Sequence, residues 1–368
     1  MNTEYMRRAV SLALRGAGRV SPNPLVGAVL VKNERIIGEG YHEYYGGLHA
    51  ERSALQDCIR RGESPRGAEI YVTLEPCCHH GKQPPCTDAL IEAGVSQVYI
   101  GSADPNPAAA GKGPAILRAH GISVTGHVLK EECDALNEIF FSYIQTGLPL
   151  VFLKYAMTLD GKIACHTGVS RWVTGSAARR HVHEMRNRCA AIMVGVNTVL
   201  QDDPLLTCRI PGGRNPVRII CDSSLRVPLS SRIVETARAV PTILATCCTD
   251  KKKQEPYLRA GCRILCCGSP GERVDLRTLM RCLGEEQIDS VLLEGGATLA
   301  WSALESGIAG KVQAYVAPRL FGGASAKTPI GGRGFDSPAQ AVQLTQLKLT
   351  RLGDDFLFEG RYKKCSPD

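Results

Sequence analysis

The amino-acid sequence predicts an α/β protein of two domains, and three observations support this fold class. The chain has 368 residues, which corresponds to about two domains of roughly 100–200 residues each. Segments typical of strands and helices alternate through both halves, as they do in layered α/β domains. Between the halves, the stretch TGLP at 146–149 joins a helix stop to a proline. We therefore expect one domain over residues 1–146 and a second over 150–368.

The first half alternates between strand and helix patterns at a spacing typical of a three-layer α/β domain. It begins with an amphipathic helix, because Arg7, Arg8 and Arg15 interrupt its apolar residues and exclude the apolar core of a signal peptide. The predicted strands are 25–31, 35–41, 68–76, 95–106 and 122–126, and the later helices are 49–61, 87–94, 114–119 and a longer one at 131–145.

The second half repeats this alternation and ends in segments that favour antiparallel strands. The predicted strands are 150–164, 190–196, 217–222, 242–248, 263–268, 288–296, 311–320, 344–353 and 356–363, and the helices are 177–188, 275–286 and 299–305.

The glycine pair in LLEGGATLAW lies between a strand and a helix, where exposed N–H groups commonly bind phosphate. Glu294, at the end of that strand, is either a ligand contact or a solvated carboxylate.

The cysteine content and the absence of a long apolar segment favour a reducing compartment. There are 16 cysteines, and in a long chain without a secretory signal we expect them to be reduced and mostly buried. No segment approaches the ~18 consecutive apolar residues of a membrane span. We expect a cytoplasmic protein that has no membrane contact and forms a homo-oligomer.

The positive charge is concentrated in the second half. Residues 1–148 contain 14 basic and 16 acidic residues, a net charge of −2, and the remainder contains 30 against 20, a net charge of +10. This distribution favours an anionic ligand. Only 5% of the residues are aromatic, and no basic stripe is interleaved with stacking rings as single-strand nucleic-acid binders require. A small phosphorylated molecule is the better prediction.

A cluster of metal-ligand residue types lies at 75–86, where EPCCHHGKQPPC contains three cysteines and two histidines. Upstream, His49-Ala50-Glu51 begins a predicted helix. H-x-E followed by two P-C steps contains the parts that zinc deaminases use, in which one histidine and two cysteines hold Zn²⁺ and a glutamate that is not a ligand moves protons. Their usual second motif is P-C-x-x-C, whereas here the second P-C step, at Cys86, comes nine residues after Cys77.

From the residues alone, the cluster is also compatible with a structural zinc site. Cys78, His79 or His80 is available as a fourth ligand, which would leave no position for water. The alternative functions are a nucleic-acid base deaminase with an accessory domain and a non-catalytic protein stabilised by zinc. A structural site would leave Glu51 without a role.

The pattern H-A-E followed by E-P-C-x-H-x-G-K-x-P-P-C closely resembles the deaminase domain of bifunctional riboflavin-biosynthesis deaminase–reductases, which has a three-layer cytidine-deaminase-like fold. The resemblance implies that His49, Cys77 and Cys86 bind zinc and that Glu51 is the proton shuttle. Cys78 stands where the family commonly has serine. The resemblance also implies contacts with the substrate pyrimidine and its phosphate from Asn23, Lys82 and Asn106.

The second half resembles the reductase domain of the same family, which has a dihydrofolate-reductase-like fold. The similar segments are KYAMTLDGKIA, SRWVTG, RNRCAAIMVGVNTVLQDDPLLTCR and LLEGGATLA. The implied NADPH contacts are Ala156, Trp172, Thr198, Asp202, Ser223 and the loop Gly296, Ala297, Thr298, Leu299, Ala300 and Trp301. The implied substrate contacts are Ser170, Arg186, Leu206, Arg209 and Glu294, with Lys154 and Asp160 near the reacting centre.

The resemblance covers nearly the whole chain and implies two successive reactions. The first is zinc-dependent deamination of 2,5-diamino-6-ribosylamino-4-pyrimidinone 5′-phosphate. The second is NADPH-dependent reduction of the ribosyl side chain to ribityl. The sequence alone does not exclude an inactive reductase domain.

Overall fold

The computed structural model describes residues 2–106 and 110–362. The chain divides into two compact units, Met1–Gly147 and Leu148–Asp368. Among the described residues, no helix is both long and apolar enough to cross a membrane.

The first unit is built on a five-stranded sheet with the order β2-β1-β3-β4-β5. Its strands are β1 (Gly27–Lys32), β2 (Arg35–Tyr41), β3 (Glu69–Leu74), β4 (Gln97–Ser102) and β5 (Ser123–Thr125). Its helices are α1 (Thr3–Ala13), α2 (Ala50–Arg60), α3 (Cys86–Ala93), α4 (Lys112–Ala119), α5 (Lys130–Leu136) and α6 (Glu138–Thr146). Strand β1 is antiparallel to β2 and β3, whereas β3, β4 and β5 are parallel.

Both faces of this sheet are buried, which gives the unit its three layers. On β1, Ala28 and Leu30 pack against α2, α3 and α4. The intervening Val29 and Val31 face the opposite side and pack with α1 and α5. Because successive side chains of a strand point to opposite faces, a continuous apolar run such as GAVLV indicates a strand covered on both sides. The predicted three-layer arrangement is confirmed.

The single helix predicted at 131–145 is wrong, because the chain breaks at Asn137 into α5 and α6. The buried Asn137 side chain pairs with the main chain of Leu25: its Oδ1 accepts the Leu25 N–H at 2.8 Å and its Nδ2 donates to the Leu25 carbonyl at 2.9 Å. Asparagine side chains compete with helical hydrogen bonds in this way. Asn137 therefore connects α5 and α6, the last two helices of the first unit, to the segment that precedes β1.

The second unit is built on a nine-stranded sheet with the order β10-β9-β8-β7-β11-β6-β12-β14-β13. Its strands are β6 (Leu150–Thr158), β7 (Ala191–Gly195), β8 (Val217–Cys221), β9 (Thr242–Thr246), β10 (Arg263–Cys266), β11 (Ser290–Glu294), β12 (Ala309–Ala317), β13 (Leu344–Leu352) and β14 (Asp355–Tyr362). Its helices are α7 (Ser176–Arg188), α8 (Val196–Asp202), α9 (Arg232–Glu235), α10 (Lys251–Ala260), α11 (Leu276–Glu285) and α12 (Ala297–Glu305).

Neighbouring strands from β10 to β12 are parallel, and β14 is antiparallel to both β12 and β13. The predicted antiparallel finish is therefore confirmed for the last two strands. Helices α8, α9 and α10 were not predicted. The predicted strand 150–164 ends at Thr158, because the chain turns at Leu159 and Asp160, where the Asp160 Oδ1 accepts a hydrogen bond from the Thr158 hydroxyl at 2.5 Å.

The parallel strands of the second unit are also covered on both faces. On β7, Ala191 and Met193 lie in the core beneath α11 and α12. Ile192 and Val194 lie in the opposite core with α8, α9 and α10. Because these strands are parallel, their carboxyl ends lie at one edge of the sheet, where ligands of open α/β sheets usually bind.

One buried cation holds several segments of the second unit together. Arg218 of β8 has no solvent exposure. Its guanidinium donates to the hydroxyls of Thr236 and Thr242 and to the carbonyls of Leu205, Ile233 and Val240. Burial lowers the pKa of Arg218 to about 10. Because this value is still well above neutral pH, the side chain stays charged.

We predict that Arg218→Ala lowers the free energy of unfolding of the second unit by about 3–5 kcal/mol, because it leaves a cavity and several buried acceptors without donors. Both tryptophans, Trp172 and Trp301, belong to the second unit, so denaturant unfolding followed by tryptophan fluorescence reports on it. Arg259→Ala, which removes an exposed pair with Glu255, serves as the control and should cost less than about 0.5 kcal/mol. Equal effects of the two substitutions would contradict the role of Arg218.

Candidate active sites

Three potential metal ligands converge in the first unit from separate segments. His49 precedes the first residue of α2, Cys77 follows β3, and Cys86 is the first residue of α3. The His49 Nδ1 atom lies 3.4 Å from the Cys77 Sγ and 3.3 Å from the Cys86 Sγ. All three ligand atoms lie within 4.8 Å of one another.

This geometry fits a zinc ion. Tetrahedral zinc, with a Zn–S distance of about 2.3 Å and a Zn–N distance of about 2.1 Å, holds sulfur and nitrogen ligands about 3.6 Å apart. The two nitrogen–sulfur distances, 3.3 and 3.4 Å, are close to that separation. Three protein ligands also leave one coordination position for water or substrate, as catalytic zinc sites require.

The three side chains are electrostatically prepared for a cation. A hydrogen bond from the Cys86 thiol lowers the pKa of Cys77 to about 4 against the effect of burial, and His49 assists. The same contact, together with burial, raises the pKa of Cys86. The hydrogen bond with Cys77 raises the pKa of His49. The Cys77 thiol therefore loses its proton readily, whereas the Cys86 thiol keeps its proton. A divalent cation that binds both sulfur atoms would displace this second proton.

Glu51 lies beside this cluster without belonging to it. It is in the first turn of α2, is buried, and contacts the Cys86 side chain. Burial raises the pKa of Glu51, and the charge on Cys77 raises it further. A carboxyl group with a raised pKa next to a metal site is suited to proton transfer near neutral pH.

The neighbouring candidates in the motif lie outside the cluster. Within residues 2–106 and 110–362, the group of potential ligands contains Cys77 and not Cys78. Burial raises the pKa of the Cys78 thiol. His79 and His80 are exposed.

His42 joins Asn23 to the cluster of potential metal ligands. Its ring lies edge-on to His49 with the centroids 5.6 Å apart. The His42 Nδ1 is 2.9 Å from the Leu48 carbonyl, and its Nε2 is 3.1 Å from the Asn23 Nδ2. An Nδ1 proton satisfies both contacts, because Nε2 then accepts from the Asn23 amide. Asn23 is therefore held near His49 through an intervening ring.

The other two predicted substrate contacts of this unit lie on loops. The Lys82 ammonium is 3.7 Å from the centre of the Tyr45 ring. The Asn106 N–H donates to the Asp104 carboxylate at 2.9 Å. The Asp104 N–H in turn donates to Glu75 at 3.4 Å. Sequence reasoning missed the buried Glu75, which connects the Asn106 turn to the segment that carries Cys77.

In the second unit, three predicted residues meet at the carboxyl end of β11. Arg186 of α7 makes two hydrogen bonds with the carboxylate of Glu294, at 2.7 and 2.9 Å. The Lys154 ammonium lies 3.5 Å from the same carboxylate. Burial raises the pKa of Glu294, but the charges of Arg186 and Lys154 outweigh burial and bring it to about 2. Glu294 is therefore ionised, and its strand lies between β7 and β6, where the order of the parallel strands reverses.

A third cation makes this group positive overall. The charge of Arg209 is close enough to Arg186 and Glu294 to interact with both, and burial followed by Arg186 lowers the pKa of Arg209. Three cations thus face one carboxylate. Paired guanidinium groups are well suited to bind a phosphate.

The glycine pair after β11 forms the turn that leads into α12. Gly295 and Gly296 have φ angles of 82° and 88°, a region that favours glycine. Thr198 of α8 lies against this turn: its Oγ1 is 3.5 Å from the place that a Cβ atom would occupy if residue 295 had a side chain. The first-turn N–H groups of α12, at Ala297, Thr298 and Leu299, give this turn the character of an anion site.

The description of Gly296–Trp301 as a loop is wrong, because Ala297 already begins α12. The helix starts two residues earlier than predicted. The side chains of Leu299 and Ala300 lie in the core. Trp301 is buried, with its ring centre 5.0 Å from that of Phe335. The side chains of Ala300 and Trp301 therefore stabilise the position of α12.

The remaining predicted contacts have different degrees of exposure. Ser170, Trp172 and Asp202 are exposed, Ala156 and Ser223 are partly buried, and Leu206 is buried in the core. The Arg179 guanidinium lies 4.8 Å from the centre of the Trp172 ring. The Ser223 hydroxyl accepts the Val274 N–H at 3.1 Å.

Asp160 is held by another loop. Its carboxylate accepts the N–H groups of Phe321 and Gly322 at 3.1 and 2.7 Å. Hydrogen bonds from Thr158 and from Gly322 lower its pKa to about 2. Asp160 therefore anchors the loop after β12.

Comparison with family models assigns each half of the chain. Residues 1–102 match the cytidine and deoxycytidylate deaminase zinc-binding region. Residues 149–358 match the RibD C-terminal domain. The predicted fold class and family resemblance are confirmed by these matches.

Comparison with individual proteins gives the same result over nearly the full length. The chain is 55% identical over 365 residues to riboflavin biosynthesis protein RibD of Actinobacillus pleuropneumoniae, covering 99% of this chain and 96% of that protein. It is 39% identical over 364 residues to RibD of Escherichia coli K12, covering 95% and 96%.

Among solved structures, a diaminohydroxyphosphoribosylaminopyrimidine deaminase/5-amino-6-(5-phosphoribosylamino)uracil reductase of Thermotoga maritima matches with a TM-score of 0.85 and 40% identity over 98% of each chain. An Acinetobacter baumannii RibD matches with a TM-score of 0.85 and 36% identity, over 98% of this chain and 99% of that one. The chain therefore belongs to the RibD family of bifunctional deaminase–reductases of riboflavin biosynthesis.

Proposed function

We propose that the first domain, residues 1–146, deaminates 2,5-diamino-6-ribosylamino-4-pyrimidinone 5′-phosphate, and that the second, residues 150–368, reduces the ribosyl side chain of the product to ribityl with NADPH. The observation that carries the first assignment is the convergence of His49, Cys77 and Cys86 within 4.8 Å, with the buried Glu51 beside them. We further propose that this phosphorylated pyrimidine, rather than nucleic acid, is the substrate.

In the deaminase domain, His49, Cys77 and Cys86 would hold the zinc ion. When bound, zinc lowers the pKa of a coordinated water to about 7 and so supplies a nucleophile at neutral pH. Glu51 accepts a proton from the attacking water and passes it to a ring nitrogen, and it then passes a second proton, from the added hydroxyl group, to the departing amine, which its raised pKa favours. Asn23, held by His42 at 3.1 Å, orients the pyrimidine, while Lys82 and Asn106 contact the remainder of the substrate.

In the reductase domain, NADPH supplies the hydride when bound. Arg186 and Arg209 bind the substrate phosphate, and Glu294 keeps Arg186 and Lys154 in place at 2.7 and 3.5 Å. Lys154 lies beside the carbon that is reduced after the ribose opens to an imine. The turn at Gly295 and Gly296 and the start of α12 would bind a phosphate of the cofactor.

We predict that Glu51→Gln reduces ammonia release by about 10²–10⁴-fold, because a general acid–base group is lost, while the zinc content stays at one ion per chain. Ammonia release and zinc by elemental analysis are measured on the same preparation. NADPH oxidation with the deaminated substrate is the internal control and should be unchanged. Loss of zinc in this variant would contradict the assignment of Glu51 as a residue that is not a ligand.

Adjacent cysteines provide a matched test of the ligand set. We predict that Cys77→Ser abolishes stoichiometric zinc binding, whereas Cys78→Ser retains it. The reason is that the Cys77 Sγ lies 3.4 Å from the His49 Nδ1, whereas Cys78 is outside the group of potential ligands. Zinc per chain and ammonia release are the measurements. Equal zinc loss in both variants would support a site with four protein ligands instead.

We also propose that the protein is a cytoplasmic homo-oligomer. Every cysteine among the described residues is free, which fits a reducing compartment. The last two strands expose an apolar face made of Leu347, Leu349, Phe356 and Phe358, and β13 is the edge of its sheet. Leu349 lies opposite Phe358 in the antiparallel pair. A second copy of the chain would bury such a face in a self-complementary contact.

We predict that the double substitution Leu349→Lys and Phe358→Lys converts the oligomer to a protomer of 39.7 kDa, because charges are costly in an apolar interface. Light scattering after size exclusion measures the molar mass. Ile59→Lys, on an exposed apolar residue of the first unit, is the control and should leave the mass unchanged. A wild-type mass of one chain would refute the proposal.

A further inference from the structure

His183 occupies a distinctive position on α7, one turn before Arg186. Its ring Nδ1 accepts the main-chain N–H of Arg209 at 3.2 Å. Its own carbonyl accepts a hydrogen bond from the Cys208 thiol at 3.3 Å. His183 therefore holds two consecutive residues, one through its side chain and the other through its main chain.

The segment it holds has no regular structure of its own. Cys208 and Arg209 lie between α8 and β8. The Thr207 carbonyl accepts from Arg186 at 3.0 Å, and the Cys208 N–H donates to Asn215 at 3.0 Å. Within the part of the chain that the structure describes, His183 supplies the hydrogen bond that anchors Arg209.

The charges around His183 make it a neutral hydrogen-bonding group. Burial, followed by the charges of Arg186 and Arg209, lowers the pKa of His183 to about 4. Because Nδ1 accepts the Arg209 N–H, the proton of the neutral ring is on Nε2. A cationic ring could not accept this hydrogen bond, so the nearby arginines preserve it.

We propose that His183 is a positioning residue for the reduction: it fixes the main chain at Arg209 so that the guanidinium groups of Arg209 and Arg186 meet the same phosphate. This inference rests on the proposed function of the second domain. Arg209 makes no hydrogen bond through its guanidinium to the described residues, so its side chain is available to an anion. Without a fixed main chain, an ordering cost would accompany each binding event.

The test compares His183→Ala with His183→Asn, whose side-chain amide can place an acceptor near the position of Nδ1. We expect His183→Ala to raise the KM for the deaminated phosphorylated substrate about tenfold, corresponding to one lost hydrogen bond, with kcat within about twofold. The Kd for NADPH should not change. His183→Asn should restore KM to within about threefold of wild type.

A double-mutant cycle with Arg209→Gln separates positioning from a general loss of structure. If His183 acts through Arg209, His183→Ala should add less than about twofold to the KM of the Arg209→Gln variant. Additive effects, an unchanged KM in His183→Ala, or no rescue by asparagine would overturn the inference. If the wild-type protein itself fails to oxidise NADPH with the phosphorylated substrate, the proposed function fails instead.

Discussion

The first sheet and the parallel strands of the second sheet are covered on both faces, and this constraint determines where the chemistry can lie. Alternate residues of β1 and of β7 enter two separate apolar cores on opposite faces of each sheet, so a fully buried charge in such a strand, as at Arg218 of β8, must be hydrogen-bonded. Several candidate site residues consequently lie where strands end or helices begin. Cys77 follows β3, Cys86 begins α3, and Glu294 ends β11. The same layered architecture therefore produces a site in each unit.

The two sites have opposite electrostatic character. In the first, two thiols and the carboxyl group of Glu51 surround one imidazole, so that the cluster attracts a divalent cation. In the second, Arg186, Lys154 and Arg209 outnumber Glu294 and favour an anion. These preferences match a zinc-dependent deamination and the handling of phosphorylated molecules by a reductase. The buried carboxyl groups of the two sites also differ in role, because Glu51 has a raised pKa and is suited to move protons, whereas Glu294 is ionised and orients cations.

Short-range patterns in the sequence predicted the strands. They also predicted the candidate metal residues, because H-A-E and the Pro85-Cys86 step lie at predictable helix starts and the Pro76-Cys77 step follows a predictable strand. Long-range contacts explain most of the errors. The break at Asn137 depends on Leu25, far away in the chain, and no local pattern reveals that pairing. Helix α10 was missed because Pro256 lies inside it and its polar residues resemble a loop. The burial of Trp301 depends on Phe335. The grouping of Arg186, Lys154 and Glu294 came from family resemblance, and composition alone would not have assembled it.

Deamination and reduction are proposed to take place in that order, at two different sites of one chain. Simultaneous measurement of ammonia release and NADPH oxidation, with the wild-type protein and the diamino substrate, distinguishes this order from its alternatives. We expect one ammonia per NADPH oxidised, with ammonia appearing first, and NADPH oxidation without ammonia when the deaminated substrate is supplied. Oxidation of NADPH by the diamino substrate without release of ammonia would contradict the two-site mechanism.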